Sequence, residues 1–333
     1  MKLIIQIPCF NEEETLGETL SDLPKQVPGV DCIEILIIDD GSSDKTLEVA
    51  RKAGVHHIVR HTTNRGLAAA FQTGVDACLE RGADVILNTD GDHQYPGSFI
   101  PQLLEPLLSG KADMVIADRQ MSRRTDRTLG HRLLQSLGSA VVRRISGTKV
   151  PDAPSGFRAM SREAALRLDI MTGYTYTLEA IVQSGEKGLR LAFVPIETNP
   201  TRRESRLKRT EGHYVLRSAA TLLRLYATYR PLRTFLLLGL PFLLAGSTLW
   251  IRYLVLMIQE GGLRGTHLQS VIVGAASILI AFVLGSLGIL GDLIARNRVL
   301  SERLLYLSKQ SRFPRVVVVP VPAPQREKVP ADS

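Results

Sequence analysis

The chain is poor in aromatic residues and in cysteine, and both shortages exclude something. Aromatics make up 5% of 333 residues, which argues against a platform that stacks nucleic-acid bases. The three cysteines, Cys9, Cys32 and Cys78, have neither paired spacing nor a His cluster beside them. They exclude a disulfide framework and a zinc site, and read as small apolar residues in a reducing compartment. No Gly-x-Gly occurs anywhere, and the first turn carries Glu12-Glu13-Glu14. A dinucleotide-binding fingerprint is therefore excluded, because its pyrophosphate needs a glycine turn opening on a helix N-terminus. There is no Walker A pattern and no internal repeat. The N-terminus, Met1-Lys2 running straight into a strand-like segment, is read as lacking a signal peptide.

What is present begins with charge. Forty-one Lys and Arg stand against 33 Asp and Glu, a formal net charge of +8, which points to an anionic partner, nucleic acid or a membrane surface. Short apolar runs alternate with helical segments. Strands are expected at Leu3–Ile7, Ile33–Ile38, His57–Arg60, Ala83–Leu87, Met114–Ala117 and Leu191–Ile196. Helices are expected from Asn11 as cap to about Leu23, from Ser43 or Asp44 as cap over Lys45–Ala53, and over Leu67–Arg81. This order predicts an α/β domain with a mainly parallel sheet and helices on both faces. Glu12, Asp39-Asp40, Asp90-Asp92 and Asp118-Arg119 each follow a different strand. Ligands of open α/β sheets bind beyond the strand carboxyl ends, so these residues are expected to converge there. Asp90-Gly91-Asp92-His93-Gln94 offers two carboxylates and an amide oxygen in a loop that Gly91 lets bend. Hard oxygen ligands of that kind suit Mg²⁺ or Mn²⁺ shared with substrate phosphates; the plain alternative is a solvated acidic turn.

Four motifs then fall in one order. Ile7-Pro8-Cys9-Phe10-Asn11-Glu12-Glu13 resembles the opening of family 2 inverting glycosyltransferases, with Phe10 where Tyr is common. Ile38-Asp39-Asp40-Gly41-Ser42-Ser43-Asp44 resembles that family's second acidic motif. Asp90 to Pro96 resembles the metal motif of the dolichol-phosphate mannosyltransferase and bacterial polyisoprenyl-phosphate glycosyltransferase subgroup, and Ser155-Gly156-Phe157-Arg158 matches its SGFR loop. The resemblance covers roughly residues 1 to 230. It implies a GT-A (Rossmann-like) fold, a nucleotide-sugar donor and a polyprenyl- or dolichyl-phosphate acceptor. It implies that Pro8, Phe10, Glu12 and Asp39 or Asp40 hold the nucleoside together with Asp90 and Gly91. It further implies that Asp90, Asp92 and Gln94 hold the metal and diphosphate, and that Glu179 occupies the position of a catalytic acid. For Glu179 the alternative is a carboxylate favoured at a helix N-terminus.

Arginine dominates the stretch from 119 to 144, and most of it reads as a solvated helix face. Arg119 and Arg158 differ in being read as loop residues beside the site. With Asp92 and Glu179 they complete the catalytic set, and they are candidates for the acceptor phosphate because guanidinium binds phosphate in a fixed fork. Arg202, Arg203 and Ser205 follow the last expected strand, where the subgroup carries a basic motif, and join the acceptor set. His213–Tyr229 reads as a basic amphipathic helix on a membrane surface, or packed on the catalytic domain. Thr234–Ile251 and Leu268–Gly291 are uncharged and long enough to cross a bilayer.

The expected layout is a catalytic domain over 1–211, an interfacial helix over 212–231, spans over 232–258 and 268–295, and a helix with a disordered tail over 296–333. Arg230, Arg233, Arg296, Arg298 and Arg303 flank the hairpin, so by the positive-inside rule both termini are cytoplasmic and the protein is placed in the cell membrane. The whole reads as a metal-dependent inverting glycosyltransferase with no nucleic-acid partner, and the resemblance implies a homo-oligomer, possibly a tetramer. One rival is a processive polysaccharide synthase, whose Gln-x-x-Arg-Trp motif is absent: the single tryptophan, Trp250, lies in the first span. The other is a non-catalytic nucleotide-sugar or lipid binder.

Overall fold

The computed structural model describes residues 1–119, 151, 154–170, 176–200, 227, 229–259 and 268–314. Seven strands form one sheet: β1 (Lys2–Cys9), β2 (Cys32–Asp39), β3 (His57–Arg60), β4 (Val85–Asn88), β5 (Met114–Asp118), β6 (Arg158–Ser161) and β7 (Leu191–Pro195). Their order is β3-β2-β1-β4-β6-β5-β7. All pairings are parallel except those of β6, which runs antiparallel to β4 and β5. Successive side chains along each strand feed two cores. Ile4, Leu36, Ile38, Ile86 and Met160 lie on one face. Ile5, Ile37, Leu87, Val115 and Ala159 lie on the other. That double burial is why the strands read as unbroken apolar runs. Strand β6 escaped expectation because a four-residue segment opening on Arg158 carries no such run.

Helices α1 (Leu16–Asp22), α2 (Thr46–Lys52), α3 (Leu67–Glu80), α4 (Ile100–Leu108), α5 (Arg162–Arg167) and α6 (Tyr176–Glu186) cover the sheet. Asn11 does not cap α1, contrary to expectation. Its φ is +54°, its amide donates to Ser42 Oγ (3.0 Å) and its Oδ1 accepts from Ser43 N (2.9 Å). The side chain thus staples the β1 loop to the β2 loop, and the helix starts a turn later. At α2 it is Asp44, not Ser43, whose Oδ1 accepts from the Thr46 amide at 3.0 Å.

Two long helices follow, α7 (Pro231–Gln259) and α8 (Leu268–Arg312), each containing a stretch long and apolar enough to cross a membrane. They pack as a hairpin at small residues: a Cβ on Gly246 would stand 2.8 Å from the Gly274 carbonyl oxygen. The second span and the helix expected after it are one continuous helix. No glycine or proline interrupts residues 292 to 312, and Arg296–Asp292 (3.2 Å) and Arg298–Glu302 (2.7 Å) pair one turn apart.

The far end of α8 docks on the catalytic domain. Lys309 is 8% exposed; its Nζ donates to the Leu168 carbonyl at 2.9 Å and lies 3.3 Å from Asp169 Oδ1. Phe313 joins the core, and Arg162 donates to its carbonyl at 2.6 Å. Arg312 pairs with Glu80 at 2.8 Å, Tyr306 donates to Glu163 at 3.0 Å, and Lys187 pairs with Glu302 at 3.2 Å.

Candidate functional site

The carboxyl ends of β1, β2, β4 and β5 share one edge of the sheet, since these strands run in one direction. Asp90 sits two residues beyond β4; the residue is partly buried, and its Oδ1 is enclosed without a hydrogen-bond partner. Burial and then the charge of Asp92 push its carboxyl up to about 7, with Glu12 adding, while Arg119 and Arg158 pull it down. Glu12, Asp92, Arg119 and Arg158 therefore all act on one carboxylate, although they come from four separate stretches of chain.

The backbone is built to hold that carboxylate. A Cβ on Gly156 would lie 2.8 Å from Asp90 Oδ2 and 3.0 Å from the Tyr176 hydroxyl, so a glycine is required where the carboxylate sits. Beneath it runs a buried polar line: Gln6 Nε2 donates to Asn88 Oδ1 and Asn88 Nδ2 to the Gly156 carbonyl, both at 2.9 Å. Thr15 Oγ1 donates to the Gly91 carbonyl at 2.8 Å, and a Cβ on Gly91 would meet Cys9 Sγ at 3.2 Å. Asp92 Oδ1 accepts from the Gln94 amide at 3.0 Å, turning the loop through His93 at φ +56°. Asn199 pins the loop from above, donating from its amide to the Gln94 carbonyl and from Nδ2 to the His93 carbonyl, both at 3.0 Å. Asn199 had no motif to announce it.

A buried carboxylate oxygen without a donor costs several kcal/mol unless a cation or proton satisfies it. The donor set here is all oxygen: Asp90 with Asp92, whose loop also carries Gln94. It fits a hard divalent cation that keeps further positions for water or phosphate. Among the described residues there is no cluster of three or more His, Cys, Asp or Glu that would cage a metal unaided.

The second acidic motif divides. Asp39 is fully buried; Oδ1 accepts from Ser42 N at 3.0 Å and Oδ2 faces Arg60 Nε at 3.0 Å. Asp40 is engaged within the chain on every side: by Arg65 N (2.9 Å), Gly66 N (2.8 Å) and His61 Nδ1 (2.7 Å). Asp40 therefore holds the turn into α3. Asp39 faces an arginine that is half exposed, a partner from which an arriving ligand can take over. Pro8 is the penultimate residue of β1, and Phe10 stands just beyond the strand, partly exposed.

One of the expected catalytic residues lies elsewhere than anticipated, and a second lies where expected but enclosed. Arg158 is not in a loop. It opens β6, is 0% exposed, and donates to the carbonyls of Ser155 (2.5 Å) and Thr177 (3.3 Å). A guanidinium enclosed in this way steers the charge of Asp90 from within the fold. Glu179 lies in the first turn of α6, as expected, but is 2% exposed. It accepts from Gln183 Nε2 at 3.2 Å and is near enough to Tyr229 to raise that phenol, which burial and Glu179 push up to about 12 against the pull of Arg298. Arg202, Arg203 and Ser205, the Arg-rich stretch from 120 to 150, the interfacial helix up to residue 226 and the tail from 315 lie outside the described residues.

One feature of the second half had only a topological reading in the sequence. Arg230 and Arg233 line a furrow of about 540 Å³ together with Leu236, Leu237, Leu240 and Leu243 along the first turns of α7. Arg230 also pairs with Glu186 at 2.9 Å, which ties the furrow to α6.

The family model for glycosyl transferase family 2 matches residues 4–168, from β1 to the end of α5. An uncharacterised protein of Methanocaldococcus jannaschii is 34% identical over 204 residues, 59% of this chain and 81% of its own length. The chain belongs to glycosyl transferase family 2. Undecaprenyl-phosphate mannosyltransferase of Micrococcus luteus is 29% identical over 59% of this chain and 83% of its own. Dolichol-phosphate mannosyltransferase of Pyrococcus furiosus is 30% identical over 62% of this chain and 60% of its own. The chain thus sits with the dolichol-phosphate mannosyltransferase-like members of the family. Among solved structures, glucosyl-3-phosphoglycerate synthase from Mycobacterium tuberculosis superposes with a TM-score of 0.54 at 22% identity, over 67% of this chain and 79% of that one. That likeness shows the shared GT-A fold. The protein is a glycosyltransferase with two C-terminal apolar helices able to span a membrane.

Proposed function

We propose that this glycosyltransferase moves one sugar from a nucleotide-diphosphate donor to a polyprenyl or dolichyl phosphate in the bilayer, with inversion at the anomeric carbon. The observation that carries the reading is the pairing, in one chain, of an unsatisfied buried carboxylate at the strand edge with a cationic, leucine-walled furrow at the start of α7. The first matches a metal-diphosphate site. The second matches a lipid whose head is a phosphate. The named relatives act on such lipids, and the solved synthase was crystallised with Mn²⁺ and UDP.

Asp90, Asp92 and Gln94 would hold Mg²⁺ or Mn²⁺, which when bound stabilises negative charge on the departing diphosphate. Pro8, Phe10, Glu12 and Asp39 would hold the nucleoside, and Gly91 lets the backbone come close. The acceptor needs little activation: the second pKa of a phosphate monoester is about 6, so it is largely a dianion at neutral pH. The protein's task is to bring that dianion to a donor that is itself anionic. Arg119 is placed for this beside Asp90, with Arg202, Arg203 and Ser205 assigned to the acceptor phosphate and Arg230 and Arg233 to its arrival along the furrow. Arg158 and Glu179 are assigned to positioning, because both are enclosed by protein. Both termini are assigned to the cytoplasmic side, where the flanking arginines collect.

The test is a panel of UDP- and GDP-sugars with polyprenyl phosphate and Mg²⁺ or Mn²⁺, reading lipid-linked product and its anomeric configuration. A single-sugar product of inverted configuration with one donor is the expected result. Absence of product from folded protein on every donor would favour a non-catalytic binder, and a polymeric product a processive synthase.

A further inference from the structure

Helix α6 forms one wall of the candidate site. Its first residue, Tyr176, stacks on Phe71 with ring centroids 4.3 Å apart, and its hydroxyl lies 3.4 Å from Asn88 Nδ2. The next, Thr177, gives its carbonyl to Arg158. The inner face of α6 packs through Ala180, Ile181 and Val182. Hydrophobic contact of that kind is non-directional, so it seats the helix without fixing its position along its own axis. Directional contacts fix that position, and beyond Thr177 they form a ring that reaches α8.

Glu179, Gln183 and Lys187 stand four residues apart on one face of the helix. Gln183 Nε2 donates to Glu179 Oε1 at 3.2 Å, and Lys187 Nζ donates to Gln183 Oε1 at 2.9 Å. Lys187 then meets Glu302 Oε2 of α8 at 3.2 Å. The other carboxylate oxygen of Glu302 accepts from Arg298 Nε at 2.7 Å. Arg298 also donates to the Tyr229 hydroxyl at 2.7 Å, with its guanidinium 4.4 Å from the centre of that ring. Tyr229 in turn lies close enough to Glu179 to feel its charge. Two arms thus leave one carboxylate on α8 and converge on Glu179. Glu179 and Gln183 are 2% and 1% exposed, and a hydrogen-bonded network so deep favours one geometry over its neighbours. Burial works against the Lys187 ammonium, and Glu302 is the first group to oppose it.

We propose that Lys187 and Glu302 are positioning residues for sugar transfer. Through Gln183 and Glu179 they hold α6 at the axial position that sets Tyr176 and Thr177 against the Asp90 site, so the far end of α8 is a strut as well as an anchor. From Thr177 to Lys187 the helix runs about 15 Å at 1.5 Å per residue, and Lys187 N still bonds the Gln183 carbonyl at 2.9 Å. A shift at Lys187 is therefore carried to Thr177. A displacement of about 1 Å at a reacting centre can cost about a hundredfold in rate. Arg312 of α8 pairs instead with Glu80 at the end of α3, outside this ring. The turnover half of the proposal rests on the transfer reaction proposed above; the seating of α6 does not.

Kinetics and hydrogen exchange on the full chain in nanodiscs test it, with the donor and polyprenyl phosphate of the panel above. Lys187→Met removes the link, and Glu302→Gln leaves one oxygen to serve two cations. Each should lower kcat by about tenfold or more, with KM for donor and for acceptor near the wild-type values. Lys187→Arg, whose guanidinium can still meet Gln183 and Glu302, should restore most of kcat. Arg312→Ala breaks the separate tie to Glu80 and should keep the wild-type kcat. Amides of α6 should exchange faster in Lys187→Met and Glu302→Gln, and at the wild-type rate in Lys187→Arg and Arg312→Ala. Unchanged kcat and unchanged α6 exchange in Lys187→Met, or an equal loss in Arg312→Ala, would overturn the strut and leave α8 an anchor. If the wild type transfers no sugar, exchange decides alone. Faster α6 exchange in Lys187→Met and Glu302→Gln then upholds the strut while the proposed reaction fails, and unaltered exchange overturns the strut.

Discussion

At the scale of single residues, the site turns on one carboxylate that the fold buries and does not satisfy. Asp90 keeps an unpartnered oxygen, and its pKa is poised at about 7 because burial and Asp92 act against Arg119 and Arg158. Asp90→Asn and Asp92→Asn should each reduce turnover by at least a hundredfold, since each removes charge from the proposed cation ligands. EDTA should silence the wild type, and titration calorimetry with Mn²⁺ should show binding lost in both variants. Full activity in chelator would sink the assignment. Gly156→Ala should have a comparable effect for a steric reason, because its Cβ would fall 2.8 Å from the Asp90 carboxylate. Arg158→Met tests the corrected position of that residue. It leaves the Ser155 and Thr177 carbonyls unpaired and removes a buried counter-charge, so it should cost about 3–5 kcal/mol of stability, read by denaturant melts. An unchanged melt with a raised acceptor KM would instead return Arg158 to the acceptor site.

At the scale of elements, the strands and their acidic ends were legible because both faces of a parallel sheet are buried and each apolar run ends where a ligand edge begins. What the sequence hid was long-range. Arg158 looked like a loop arginine because the antiparallel β6 is four residues long, and only its pairing with β4 shows that the side chain is enclosed. Asp39 and Asp40 are neighbours with no sequence distinction between them, yet one faces Arg60 and the other is consumed by the turn at His61–Gly66. The end of α8 reads in the sequence only as a helix following the second span. Its docking depends on Lys309 finding Leu168 and Asp169, roughly 140 positions earlier, which no periodicity reports. This changes what truncation should do. A chain cut near Leu232 keeps every strand but loses Phe313, which is 4% exposed in the core. Phe313→Ala alone should cost about 3–5 kcal/mol by the usual large-to-small scale. The truncated domain should melt at a temperature lower by at least as much as the point variant. A truncated domain as stable as the full chain would show that the α8 contact is incidental.

At the scale of the whole molecule, the proposed function requires the chain to bring a phosphate held at a membrane surface to a diphosphate held at a sheet edge. Two ties link the parts: α8 docks through its far end, and Arg230 at the start of α7 pairs with Glu186 of α6. The furrow begins at the second tie, lined by Arg230 and Arg233. Arg233 is the better probe, because Arg230 is already spoken for by Glu186. Two physical roles are open to it. In the first it contacts the acceptor phosphate directly, a charge-assisted contact out of bulk water worth about 1.5–3 kcal/mol, or roughly ten- to hundredfold. In the second it only adds to the field that draws anionic lipid, worth about 1 kcal/mol per charge and screened by salt. Arg233→Ala should raise KM for a long-chain polyprenyl phosphate by ten- to hundredfold in neutral detergent, where no anionic bilayer acts, and donor affinity should stay at the wild-type value. Leu240→Trp, which fills the apolar wall, should hinder the long acceptor while sparing a short one that does not reach along the furrow. A variant that is normal in detergent and impaired only on anionic vesicles at low salt would assign Arg233 to the field, and the acceptor would then reach Arg119 by a path other than this furrow.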